Sequence, residues 1–250
     1  IRMRLEPNGR MRTSWNTTGA ETFRWSSSTN AFWRGANLEN IAKPFHSMTG
    51  AILPNLRAAI IPDRGKLLWE PDLAGADAQA VARDSGDVVL QQMFREKVKI
   101  HAERAKLVYG ASAGPDGRRE PYYTLAKKGG HLWHYCGKSR TMATSLGITV
   151  GEADRLVARL AGIHPGIPAW WRRLDAQVRA NRTITNAFGY RYVWFGRIED
   201  ALPKVTAWIG QGTVACVINR AAANVYATVP GGELLMNQPD SLVGQTDLDR

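Results

Sequence analysis

The apolar positions of the chain follow two patterns. Short apolar runs bounded by Gly, Pro, Asp or Asn read as strands at residues 67–69, 233–238 and 242–245. Another run, residues 56–61, precedes a turn at 62–65, so 56–61 and 66–69 are expected to pair as antiparallel strands. Longer segments predict helices over 74–83, 88–98, 99–109, 121–136, 150–161, 167–180 and 203–229. Asp87 is a candidate N-cap, and Gly110 closes the helix before it. Thr149 and Glu152 have capping-box spacing, with Gly162 past the helix end. Residues 184–196 read as a hairpin around Phe188–Gly189, and residues 8–40 as a polar loop interleaved with Trp15, Trp25 and Trp33. The expected class is α+β.

Composition changes this picture in one respect. The formal net charge is +11. That excess suits a polyanionic partner, and nucleic acid fits better than a membrane because no basic amphipathic helix stands out. Two cysteines cannot make a disulfide framework and suit a reducing cytoplasm. No apolar run has membrane-spanning length, and the basic first residues lack the apolar core of a signal peptide. A cytoplasmic location is expected, that of the host if the chain is from a phage. The start at Ile1 reads as a piece of something longer.

Two acids stand at strand ends. Asp72 follows Pro71, which has no N–H for a ladder, and Asp240 sits in the turn 239–241. Each alone is most simply a turn or capping Asp. If their strands are neighbours, the two carboxylates can share a pair of divalent ions for in-line phosphoryl transfer, and Mg2+ suits such a set. In residues 121–136, Lys127, His131 and Tyr135 fall four apart and share a helix face, where Lys127 can hold a triphosphate as a point charge. Gly129 and Gly130 weaken that helix by about 1 kcal/mol each relative to Ala, and are expected to let something flat approach the backbone. A zinc cluster of His131, His134 and Cys136 is the competing metal reading, but it lacks a fourth ligand and residue 136 turns off the face.

The joint pattern resembles family A DNA polymerases over roughly residues 9–245. The segments that carry the resemblance, in the family's order, are TFRWSSSTNAFWRGANLENI, DLAGADAQAVARDSGD, IHAERAKLVYG, YTLAKKGGHLWHYCG, HPG, GQGTVAC and QPDSLV. The resemblance implies an antiparallel palm sheet with a mostly helical fingers subdomain, a right-hand polymerase core with the thumb largely absent. The implied division is palm over 1–87, fingers over 88–180 and palm again over 181–250. It implies a template-directed DNA polymerase adding dNTPs to a primer 3′-hydroxyl with two Mg2+ ions. Its partners would be primer-template DNA and dNTPs, with no membrane, and a further chain or segment would supply the thumb or an exonuclease. Asp72 and Asp240 match the metal-binding aspartates, with Leu73 lending a carbonyl. Lys127 and His101 match triphosphate-binding residues, and Tyr135 the tyrosine beside the nascent pair. Arg24 and Gln211 match the minor-groove readers, while Asn37 and Asn40 match residues lining the DNA track.

This sequence departs from the family's pattern in places. Asp77 stands at the glutamate that screens the sugar 2′ position, and His131 at the aromatic that packs on the incoming sugar. Tyr123 replaces a triphosphate-binding arginine, and Cys136 stands at a glycine unless Gly137 takes that part. Pro239 and Ser241 replace the His and Glu flanking the last aspartate. These leave two alternatives: a nucleotidyl transferase accepting ribonucleotides, against which the acid at Asp77 argues, and a non-catalytic nucleic-acid-binding remnant.

Overall fold

The computed structural model describes residues 5–32, 34–39, 41 and 55–248. The elements run β1 (Ser14–Asn16), β2 (Ser26–Ser28), β3 (Lys66–Trp69), α1 (Ala76–Ser85), α2 (Val88–Arg95), α3 (Ile100–Tyr109) and α4 (Tyr122–His134). There follow α5 (Ser139–Leu146), α6 (Val150–Ile163), α7 (Gly166–Asn181), β4 (Thr183–Thr185), β5 (Arg191–Val193), α8 (Ala201–Thr228), β6 (Glu233–Asn237) and β7 (Leu242–Asp247). The class is α+β, as the pattern predicts. The chain divides into two compact units, one formed by Ile1–Ala74 with Val214–Arg250 and the other by Gly75–Thr213.

The first unit is built on a three-stranded antiparallel sheet in the order β3-β7-β6. The expected partner of β3 is corrected here. Leu56–Ala59 is a turn of 3-10 helix, because the Asn55 side chain accepts from the Arg57 amide (3.2 Å) and winds the chain locally. Leu56 and Ile60 bury their side chains against the cluster of Leu38, Ile41, Met236 and Val243 without entering the sheet. An apolar run is only consistent with a strand; here a side-chain cap decided otherwise. β3 pairs instead with β7, Trp69 opposite Gly244, and a side chain at Gly244 would collide with the Trp69 ring. The polar opening segment is folded onto this unit. Buried Ser27 receives the amides of Leu38 (2.9 Å) and Glu39 (3.3 Å) and donates to Asn37 Oδ1 (3.0 Å).

The second unit is helical apart from the β4–β5 hairpin. Helix α6 opens with the expected capping box, but Gly162 lies inside it and His164 ends it. The fully buried side chains include Trp133, Trp170, Trp208, Arg104, His134 and His164. Asp87 caps α2 through the Leu90 amide (2.8 Å), as expected, and does more. It also receives the Gly166 amide (2.9 Å) and pairs with His164 Nδ1 (3.1 Å). One carboxylate thereby ties the α1–α2 turn to the segment His164–Gly166 before α7. Burial pushes its pKa up, but the His164 hydrogen bond and the two amides outweigh burial and hold it below the usual carboxylate value.

Replacing Asp87 by Ala removes a helix cap and strands a buried histidine and an amide. It is expected to destabilise the chain by about 3–5 kcal/mol, read as the shift of the urea unfolding midpoint. Asp87→Asn, which keeps an acceptor, is expected to lose less.

Candidate functional site

In the first unit the structure brings the two strand-end acids side by side. Beyond Trp69 the ladder continues as an isolated bridge between Asp72 and Ser241. The Leu73 amide donates to the Asp240 carbonyl (2.9 Å), and the Leu242 amide to the Pro71 carbonyl (3.3 Å). Pro71 ends the regular strand and the turn at Asp240 starts β7, so both acids stand at the same sheet edge. Each is exposed. Glu70 joins them there: its carboxylate accepts from the buried Ser241 hydroxyl (3.3 Å). Nothing in the sequence marked Glu70, which lies in no motif; only the pairing of Asp72 with Ser241 brings it to the edge. Among the described residues no three His, Cys, Asp or Glu side chains group as ligands for a metal ion. The side-chain donors at this edge are the carboxylates of Glu70, Asp72 and Asp240. These are hard oxygen ligands of the kind Mg2+ takes when substrate phosphates complete its shell. Arg24 is half-buried and lines a small hollow with Trp25, Glu39, Asn219 and Asn237. Asn37 is held by Ser27. Asn40 lies outside the described residues.

The second unit gathers the other candidates. Lys127 and His131, one turn apart on α4, line a hollow of about 380 Å³ with His101, Lys128, Leu132, Ser145 and Leu146. The His131 ring meets the Tyr135 ring edge-on (5.2 Å), and its Nδ1 stands 3.9 Å from Asp77 Oδ2 of α1. His101 packs edge-on against Tyr123 (6.5 Å). Its Nδ1 is buried without a partner, and burial, with Arg104, Lys127 and His131 adding, pushes its pKa down to about 4. His101 is thus a neutral imidazole at pH 7, able to donate an N–H but not a charge. Gln211 is half-buried on α8. The preceding Gly210 leaves room for Tyr135, since a Cβ there would stand 2.9 Å from the Tyr135 hydroxyl oxygen.

What approaches the two α4 glycines is protein. A Cβ at Gly129 would stand 2.7 Å from the Leu156 side chain, and one at Gly130 would collide with the Arg104 guanidinium. Arg104 is fully buried and hydrogen-bonds His134 (Nη2 to Nε2, 3.0 Å). Because Arg can only donate, His134 Nε2 accepts and its proton sits on Nδ1. Burial pushes His134 well below its ordinary pKa, and Arg104 adds to this. Burial also lowers Arg104, to about 10, which leaves it charged. The zinc alternative is not supported: His134 is committed to Arg104, and burial raises the Cys136 thiol to about 12. Cys136 itself takes the left-handed backbone (φ 59°) at the foot of α4, and at Gly137 a Cβ would stand 2.7 Å from the Leu132 carbonyl oxygen, so both positions favour a glycine.

One unit thus carries two acids at the end of its sheet, and the other a hollow lined by lysines and histidines. The chain is similar in fold to the POL domain of Pol1 from M. smegmatis, solved in complex with DNA primer-template and dNTP. The TM-score is 0.82 at 22% identity, covering 98% of this chain and 43% of that one. The model of DNA polymerase family A matches residues 1–233, and the chain belongs to that family. It is 28% identical over 254 residues to the thermostable DNA polymerase I of Thermus filiformis, covering 97% of this chain and 29% of that protein. It is 24% identical over 187 residues to the DNA polymerase of Mycobacterium phage D29, covering 73% of this chain and 30% of that protein. The chain thus spans about three tenths of the length of these relatives. No helix among the described residues is long and apolar enough to cross a membrane.

The two depressed histidines give the chain an acid limit. The fold holds His101 and His134 neutral, while the unfolded chain takes up protons near their ordinary 6.5, so acid favours unfolding. Stability is expected to be full above about pH 6.5 and to fall between there and about 4, read as the urea midpoint against pH. His101→Phe is expected to flatten that slope.

Proposed function

We propose that this chain carries out template-directed DNA polymerisation, adding a dNTP to a primer 3′-hydroxyl with release of pyrophosphate. The observation that carries the proposal is the pairing of Asp72 with Ser241 and of Leu73 with Asp240, which sets two distant acids on one sheet edge. Membership of DNA polymerase family A supports it. So does the likeness to a POL domain that was solved with primer-template and dNTP, the partners we assign to this chain.

In this reading residues 1–87 and 181–250 form the palm and residues 88–180 the fingers. Asp72 and Asp240, with the Leu73 carbonyl, would hold two Mg2+ ions. When bound, magnesium supplies activation of the primer hydroxyl and neutralisation of charge on the phosphates. Lys127 holds the triphosphate as a compact cation at the mouth of the hollow. Neutral His101 donates a hydrogen bond to the same phosphates. Asp77, His131 and Tyr135 frame the sugar and the nascent base, Asp77 and His131 facing each other across 3.9 Å. Arg24, Asn37, Asn40 and Gln211 take the duplex, the first and last by the minor-groove acceptors common to every correct pair. Because Asp77 keeps an acid facing the sugar, deoxynucleotides are the substrates we assign.

Asp72→Ala and Asp240→Ala are each expected to lower primer extension by on the order of 10²–10³-fold or more, with DNA binding changed only severalfold. Primer extension in magnesium, alongside a gel-shift titration, checks this. Full extension by either variant would refute the metal assignment. Lys127→Ala is expected to act chiefly on the KM for dNTP. Comparing dNTP with NTP incorporation on one primed template tests the sugar preference.

A further inference from the structure

The β4–β5 hairpin and the turn after it hold a set of side chains outward that the polymerisation chemistry does not use. Along this arm alternate residues go in and out. Tyr192 goes in and stacks on Trp208 of α8 (5.3 Å, 29° between planes). Trp194 also goes in: it is 6% exposed, its indole N–H donates to the Arg197 carbonyl (3.0 Å), and Lys204 sits over its ring (5.6 Å). Arg191, Val193 and Phe195 go out, and Phe195 is 88% exposed.

The turn that presents Phe195 is fixed on both sides. The Trp194 amide donates to the Arg182 carbonyl (2.7 Å), and Arg182 Nη1 donates to the Gly196 carbonyl (3.1 Å). Gly196 lies against the Trp194 ring, where a Cβ would stand 2.6 Å away. Phe195 is therefore held in water by an anchored turn, although burying its ring would be favourable. Val193 and Tyr190 of the same ribbon are also exposed, and the other groups around it are polar and cationic. Thr185 lies opposite Arg191 and Thr183 opposite Val193 on the ribbon, and Arg182, Arg191 and Arg197 are exposed. In the turn that follows, Glu199 stands 3.9 Å from Arg197, and Asp200 is exposed. Among the described residues no acid forms an ion pair with Arg182 or Arg191. A protein-docking patch would be contiguously apolar and poor in charge at its centre. An exposed aromatic ring set among arginines and hydroxyls matches unpaired nucleic acid, whose bases stack on the ring while guanidinium groups meet phosphates.

We propose that this ribbon binds single-stranded DNA, namely unpaired template strand, with Phe195 as the base-stacking platform and Arg191 and Arg182 on the phosphates. The proposal rests on the reading of the chain as a template-directed polymerase. Fluorescence anisotropy of the whole chain would compare a blunt duplex, the same duplex with a 5′ template overhang, and that overhang made abasic. The natural overhang is expected to bind more tightly than the other two. Phe195→Ala is expected to weaken overhang binding about tenfold, in line with one stacked base, and to leave the blunt duplex within twofold. Phe195→Trp is expected to keep the preference. Arg191→Ala should lower the salt slope of overhang binding by about 0.7. Equal binding of the three DNAs by the unaltered chain, or overhang binding by Phe195→Ala as tight as the parent's, would overturn the proposal, as would equal losses on blunt and overhung DNA. Primer extension by the unaltered chain, run in parallel, tests the polymerase reading separately. A chain that binds the overhang through Phe195 but extends no primer would sink that reading and leave this one standing.

Discussion

Everything at the acidic edge depends on β3 lying in register beside β7. A strand shifted by one residue turns every side chain to the opposite face. Here the register is keyed by shape: the Trp69 ring lies across Gly244, where a side chain would collide with it. A second lock is polar. Buried Gln245 accepts from the Asp63 amide (2.9 Å) and donates to the carboxylates of Asp63 (3.0 Å) and Glu233 (2.7 Å). It thereby ties the loop before β3 and the start of β6 to the middle strand. With those two locks closed, the ladder runs on to the bridge between Asp72 and Ser241, and the acids have little freedom to separate.

The helical unit uses another device, buried polar groups each held by named partners. Burying Arg104 is costly, and the cost is partly met by a neutral histidine acceptor and by the charge of Asp87. The arrangement needs Gly130, because any side chain there would take the guanidinium's place. The residues facing the hollow and those under it are thus coupled through one helix. Lys127 and His131 keep their outward positions only while α4 rests on Arg104 and Leu156.

Local signals in the sequence were legible where one short segment carries the whole cause. The capping box at Thr149 and Glu152, the Asp87 cap, the Gly110 stop and the β4–β5 hairpin all satisfy their hydrogen bonds within a few residues. The two strand-end acids were legible for the same reason, since Pro71 and the turn at Asp240 end and start their strands. Pairings across the chain were not. Periodicity says which face of an element is apolar but not what covers it. Hence periodicity pairs residues 56–61 with β3, is silent on the second role of Asp87 toward His164 and Gly166, and leaves the space above Gly130 open to something flat where Arg104 lies. Glu70 was missed because its place at the edge is made by Ser241, far along the chain.

The first unit is discontinuous in sequence, Ile1–Ala74 with Val214–Arg250, whereas the helical unit is one unbroken stretch, Gly75–Thr213. The helical stretch therefore lies wholly between β3 and β7 in the sequence. The middle strand of the sheet arrives last, and closing that long excursion costs chain entropy that only the finished ladder returns. Joining the two carboxylates therefore requires the chain to close across the whole helical unit.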